Sequence, residues 1–201
     1  MALDKLLFFD FETTSTDIFK AEIIEGFFLD NLGNEYHMKS QVDTWSDEAQ
    51  KIHKISQAKM QSYPEKSIAH IKAYNWLEKY EHDYLWICYS NPKNIYGHIN
   101  YDRGVLINSF LEMDIDFTID KILSVYELAV EASKRCLFTP IKGSKGRVSY
   151  SQENVYKALF NETYNAHDAK EDVLAMKRIY ETLSNSLMHN TPHTSGQTKL
   201  I

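Results

Sequence analysis

The sequence predicts a single mixed α/β domain: a five-stranded sheet in which an antiparallel meander of three strands is extended by parallel strands and flanked by helices. Three observations carry this. Residues 6–14 (LLFFDFETT) form an apolar, β-favouring run that reads as a central strand buried on both faces. Residues 22–29 (EIIEGFFL) and 35–42 (EYHMKSQV) follow at once around the turn 30–34 (DNLGN), whose Asp, Asn and Gly supply hairpin freedom. From there on, strand-like runs alternate with segments of helical period.

In the first strand, alternation sends Asp10 and Glu12 out of the same face, side by side. Each bare charge inside a sheet costs several kcal/mol unless something positive compensates it. A hard divalent cation such as Mg2+ does so through carboxylate oxygens. After the meander, residues 45–60 are polar and helix-prone and contain KIHKIS at 51–56. Residues 67–80 read as an amphipathic helix capped by Ser67, with Ile68, Ile71, Tyr74 and Leu77 recurring inward.

Residues 84–89 (YLWICY) are the next buried strand, followed by an Asn-, Pro- and Gly-rich loop over 90–100. The helix expected over 101–113 turns Val105, Leu106, Ser109, Phe110 and Met113 inward, and Asp102 falls on that stripe. A fifth strand is read over 121–126 and a helix over 127–135. Lys134, Arg135, Lys142, Lys145 and Arg147 then make one basic patch on a loop marked by Gly143 and Gly146. A short helix covers 151–160. The last helix, 168–183, opens on a capping box, Asp168 with Glu171, which leaves His167 just before its N-terminus. Its stripe is Ala169, Val173, Met176, Ile179, Tyr180 and Leu183, and Asp172 joins it although the opposite face had room for an acid.

The chain has 201 residues, 43% hydrophobic and 25% charged, enough for one good core. The domain is read over 1–185, with a polar, aperiodic and flexible tail over 186–201. Cys88 and Cys136 have no metal-ligand spacing and cannot make a disulfide framework, so a reducing cytoplasm is expected. No apolar run reaches the roughly 18 residues of a membrane span, and no signal segment opens the chain. The net charge of -6 argues against a polyanionic partner. Four metal-ligating carboxylates paired with two divalent ions would cancel -4 of that and weaken the objection.

Four inward carboxylates, Asp10, Glu12, Asp102 and Asp172, spread over one strand and two helices, suit two Mg2+ or Mn2+ ions about 3.5–4 Å apart, the clamp of phosphodiester displacement. His167 is the candidate general base, because an imidazole of pKa about 6.5 is available in its neutral form at pH 7.

These residues resemble the DEDDh 3'-5' exonucleases, the DnaQ-like group that includes polymerase proofreading subunits, RNase T and oligoribonuclease. FDFETT is similar to the first motif and supplies Asp10 and Glu12; YGHINYDRGVL is similar to the second and supplies Asp102. HDAKED is similar to the third and supplies His167 and Asp172. The tyrosine subgroup would carry Tyr four residues before the last Asp, where this chain has Asp168. The resemblance spans residues 8–183. It implies an RNase H-like fold, two metal ions with Asp10, Glu12, Asp102 and Asp172 as ligands, and release of nucleoside 5'-monophosphates from single-stranded DNA or RNA 3' ends, in proofreading or repair. It also places Thr13 and Thr14, and Ile52, His53 and Ile55 of KIHKIS, against the terminal nucleotide. Phe11 belongs to the same segment, although alternation turns it toward the core. The chain departs from the family where Ile99 splits His98 from Asn100 and in the insertion carrying Lys142, Lys145 and Arg147, a candidate phosphate-holding loop. Residues 197–201 (QTKLI) loosely resemble peptides that dock on a sliding clamp, which would link the chain to a polymerase. The competing readings are an exoribonuclease, similar to RNase T or oligoribonuclease, a non-catalytic nucleic-acid- or polymerase-binding subunit, and an RNase H-like endonuclease or transposase.

Overall fold

The computed structural model describes residues 5–90, 100–143 and 146–189; His98, Ile99, Lys145 and residues 190–201 lie outside the described residues. The apolar run of the first strand becomes β1 (Leu6–Thr13), the middle of a sheet ordered β3-β2-β1-β4-β5. β2 (Ile23–Asp30) and β3 (Glu35–Lys39) are antiparallel, while β4 (Leu85–Cys88) and β5 (Lys121–Ser124) run parallel to β1. This is the expected RNase H-like mixed sheet of five strands.

Because side chains alternate, β1 feeds two cores. Leu7, Phe9 and Phe11 pack with Phe28 and Trp86 on one face. That face is covered by α3 (Lys66–Leu77), which runs into a 3-10 turn (Glu78–Tyr80), and by α4 (Tyr101–Leu111). Phe8 packs with Phe27 and Ile87 on the other, beneath α5 (Val125–Lys134), α6 (Gln152–Phe160) and α7 (Ala169–His189). A third, smaller cluster of Ile24, Ile55, Met60 and Tyr63 sits under α1 (Asp47–His53) and α2 (Gln57–Gln61).

The structure corrects several boundaries. The helix-prone stretch 45–60 is two helices, split where Lys54 takes φ 60° and ends α1. The cap expected from Ser67 does not form: α3 begins at Lys66, after a Glu65 that makes no side-chain capping bond. Its inward face is Ala69, His70, Ala73 and Leu77, whereas Ile68 and Ile71 stand 45% and 49% exposed. Three-residue steps fall about 60° short of a turn on a 3.6-residue helix, so Ile68 and Leu77 end on opposite sides. The alanines let α3 lie close against a sheet face already filled by aromatic rings. β5 is shorter than expected and α5 starts earlier, at Val125; α7 continues to His189, beyond the end read at Leu183.

Candidate active site

The site forms where β1, α4 and α7 meet. The β1 alternation turns Asp10 and Glu12 to the α7 face, and the first turn of α7 brings Asp172 to them. One carboxylate oxygen from each of Asp10, Glu12 and Asp172 lies within 4.8 Å of the others. Asp102, in the first turn of α4, is buried beside this trio but outside it, and its carboxylate takes a hydrogen bond from the Ser90 side chain. Asn100 caps α4 by accepting from the Arg103 N–H at 3.0 Å, which sets the depth at which Asp102 enters.

Charge is unsatisfied here. Burial, then the charges of Asp172, Asp102 and Glu12, raise the Asp10 carboxyl well above the usual carboxylate range. Burial, helped by Asp172 and Glu25, pushes Glu12 up to about 8. Burial raises Asp102 to about 6. Asp172 is also raised by burial, although Tyr164 and the His167 N–H work against it. The described residues offer Asp10 and Glu12 no hydrogen-bond donor. Oxygen donors converging this closely, with no lysine or arginine among them, fit a hard divalent cation. Asp10, Glu12 and Asp172 would hold it, with Asp102 adjacent.

His167 lies where the sequence placed it, in the loop before α7, with its side chain exposed. It adopts φ 65°, an uncommon conformation for a residue with a side chain. In this pose its backbone N–H donates to Asp172 Oδ2 at 2.8 Å. Tyr164 donates its hydroxyl to Asp172 Oδ1 at 2.7 Å, and Gln152 Nε2 donates to the Asp172 carbonyl at 2.7 Å. Asp168 caps α7 as expected, accepting from the N–H groups of Lys170 (3.1 Å) and Glu171 (3.2 Å).

Two clefts adjoin the acids and share no lining residue. The first, about 460 Å³, runs from Glu12, Thr13 and Thr14 to Ile52 and His53 of α1, with Phe11 and Tyr101 in its wall. The second, about 300 Å³, contains Asp10, Asp172 and His167 and is walled by tyrosines. Five of the expected substrate contacts, Phe11, Thr13, Thr14, Ile52 and His53, therefore gather in one place. Thr13 shares a hydrogen bond with the Tyr101 hydroxyl at 2.8 Å, while Thr14 accepts from the Glu22 N–H at 3.1 Å and is nearly buried. His53 Nδ1 accepts from the Ile55 N–H at 3.0 Å, so the neutral ring carries its proton on Nε2, which is buried without a partner among the described residues. Burial pushes the His53 pKa down and favours that neutral ring.

The remaining expected contacts lie elsewhere. Ile55 belongs to the cluster under α1 and α2. Lys142 and Arg147 are exposed on a loop closed by a Lys142–Val148 bridge and line neither cleft. Sequence reasoning missed Tyr164, Gln152, Ser90 and Tyr101, which hold the acids and Thr13. Only Tyr101 carried a signal, as the neighbour of Asp102 at a helix start; the others act across loops that periodicity does not read.

No family model matches the chain, and no curated protein matches it in sequence. Solved structures do match in fold. E. coli exonuclease I in complex with a dT13 oligonucleotide aligns with TM-score 0.74 at 18% identity, over 92% of this chain and 43% of that one. A product-bound exonuclease I aligns with TM-score 0.72 at 15% identity, over 92% and 46%. The zinc-bound form of the E. coli exonuclease I–ssDNA complex aligns with TM-score 0.73 at 16% identity, over 92% and 43%. The chain thus spans less than half the length of these proteins, and at such identities the likeness is one of fold.

Proposed function

We propose that this chain is a divalent-metal-dependent 3'-5' exonuclease that hydrolyses single-stranded DNA and releases nucleoside 5'-monophosphates, as expected of the DEDDh family. The observation that carries the reading is the convergence of Asp10, Glu12 and Asp172 with His167 at their edge, on a fold similar to that of exonuclease I bound to DNA. Two bound Mg2+ or Mn2+ ions would activate water and offset charge on the scissile phosphodiester. The protein's own residues do the rest. Asp10, Glu12 and Asp172, with Asp102 beside them, form the ligand set, and Tyr164 and the His167 N–H keep the Asp172 oxygens aimed. The His167 imidazole, exposed and next to Asp172, takes the proton from the attacking water. The terminal nucleoside occupies the first cleft, where the His53 Nε2–H offers a donor to a base or sugar oxygen and Ile52 supplies an apolar wall. The loop of Lys142, Lys145 and Arg147 attracts the more distant phosphates of the strand.

The test is to incubate the protein with Mg2+ or Mn2+ and 5'-labelled DNA and RNA strands, blocked or free at the 3' end. A ladder of single-nucleotide steps on free DNA, abolished by blocking, is expected. Internal cuts, or an intact strand in both metals, would overturn the reading; a faster ladder on RNA would reassign the sugar.

A further inference from the structure

The second cleft has a composition that the hydrolytic step does not require. Besides Asp10 and Asp172, it is lined by Tyr89 just after β4, Tyr126 at the start of α5 and Tyr150 ahead of α6. The rings interlock: Tyr126 meets Tyr89 edge-on at 6.4 Å and 86°, and Tyr150 at 6.0 Å and 71°. The outer rings are tied at their hydroxyls, Tyr89 donating to the Tyr150 carbonyl at 2.9 Å and Tyr150 to Ser133 Oγ at 3.1 Å. Tyr126, half-buried between them, spends its hydroxyl on no described residue. Rings held this way lose little freedom when a flat ligand lies on them.

Charge decides what that ligand is. Among the described residues no lysine or arginine lines the cleft, so away from the acids its tyrosine wall offers a phosphate no cationic partner. An uncharged aromatic ring does. The volume, about 300 Å³, is at the small end for ligand sites and suits one base with part of its sugar.

We propose that the tyrosine cleft is a stacking subsite for the nucleobase on the 5' side of the scissile phosphodiester, with Tyr126 as its specificity-determining residue. This rests on the exonuclease reading. If the terminal nucleoside fills the first cleft and its phosphate lies on the acids, the preceding nucleotide reaches the second cleft, because Glu12 lines the first cleft, Asp10 and Asp172 line the second, and these three carboxylates lie within 4.8 Å of one another. Every base presents a π-face, so the subsite selects an unpaired, unstacked base with little regard to its identity. The two clefts together thus grip the last two nucleotides of a single strand.

The experiment compares single-stranded DNA carrying an abasic residue at the penultimate position with the intact strand, following the first cleavage in Mg2+. For the unmodified protein the abasic strand should raise KM about ten-fold, as expected for losing one base–aromatic stack, with kcat changed less than about two-fold. Tyr126→Ala should raise KM on the intact strand to a similar degree and show no further penalty on the abasic one. Equal KM for the two strands in the unmodified protein would overturn the subsite, as would penalties that multiply in the variant. Failure to cleave either strand is a different result, since it removes the exonuclease reading and the subsite with it. The comparison of strands needs no variant and stands even if Tyr126→Ala does not fold.

Discussion

Glu12 on β1 and Glu25 on β2 face each other across the sheet as a registered pair, and both are buried. Their chemistry is opposite. Glu25 accepts from Tyr63, from His37 at 3.3 Å and from Lys59 at 3.3 Å. Burial alone would raise it, but these partners bring its carboxyl down to about 2. Glu12 has acids for neighbours and rises to about 8. The acid just before β2 and the one that ends it follow Glu25. Glu22 binds Lys66 at 2.6 Å and Thr44 N–H at 2.7 Å, Asp30 accepts from Asn34 and Tyr80, and both carboxyls end lowered despite burial. A buried acid is therefore no mark of a site by itself. The mark is buried charge for which the fold provides no counter-charge, because only a proton or a cation can complete it.

The sharpest break in this pair comes from removing one acid on each side. Asp10→Ala should abolish hydrolysis, by at least about a thousand-fold, through loss of the ion clamp. His167→Ala should cost about 10²–10⁴-fold in kcat while divalent-ion binding, measured calorimetrically, persists. In chelator at pH 8, Asp10→Asn should melt higher than the unmodified protein by at least about 2 °C, because it relieves repulsion. Glu25→Ala should do the reverse: a loss of about 1–3 kcal/mol in denaturant unfolding, since Tyr63 and Lys59 are left unmatched. A more stable Glu25 variant, or a less stable Asp10→Asn, would break the contrast.

The same pair sets the pH dependence of the metal-free protein. Glu12 holds its proton more tightly folded than unfolded, so its effect lowers stability as pH rises from 4.5 through about 8. Glu25 holds its proton less tightly when folded, so its contribution is full above 4.5 and is lost as pH falls toward about 2. Thermal melts in chelator should therefore decline on the alkaline side, and Mg2+ should remove most of that decline. An alkaline limb unaffected by Mg2+ would place the acids away from any ion.

Smaller effects refine the active side. Tyr164→Phe removes one hydrogen bond to Asp172, and should raise the Mg2+ concentration for half-maximal rate about three- to ten-fold with saturated kcat nearly kept. Neutralising Lys142, Lys145 and Arg147 together should raise KM a few-fold and flatten its dependence on salt; an unchanged salt slope would remove that loop from the strand's path.

Much of this was legible in the sequence because it is local. Alternation in a strand puts Asp10 and Glu12 on one face, and the period of α4 and α7 puts Asp102 and Asp172 on the buried stripe. The mixed sheet, the turn at 30–34 and the cap at Asp168 follow from the same short-range rules. The inward face of α3 was misread because a period of three imitates, but does not match, the helical period.

What the sequence determined by itself is which residue types stand at which phase of each element, since phase is set by backbone geometry within a few residues. Tertiary structure decided which of the buried acids go unmatched. Glu25 is paired with Lys59 and hydrogen-bonded by Tyr63 and His37, brought from other elements, while Glu12 and Asp10 find only carboxylates. Tyr164 and the tyrosine wall of the second cleft are likewise products of loops meeting in space. Electrostatic energy depends on distances between residues far apart in the chain, and no local pattern encodes those distances.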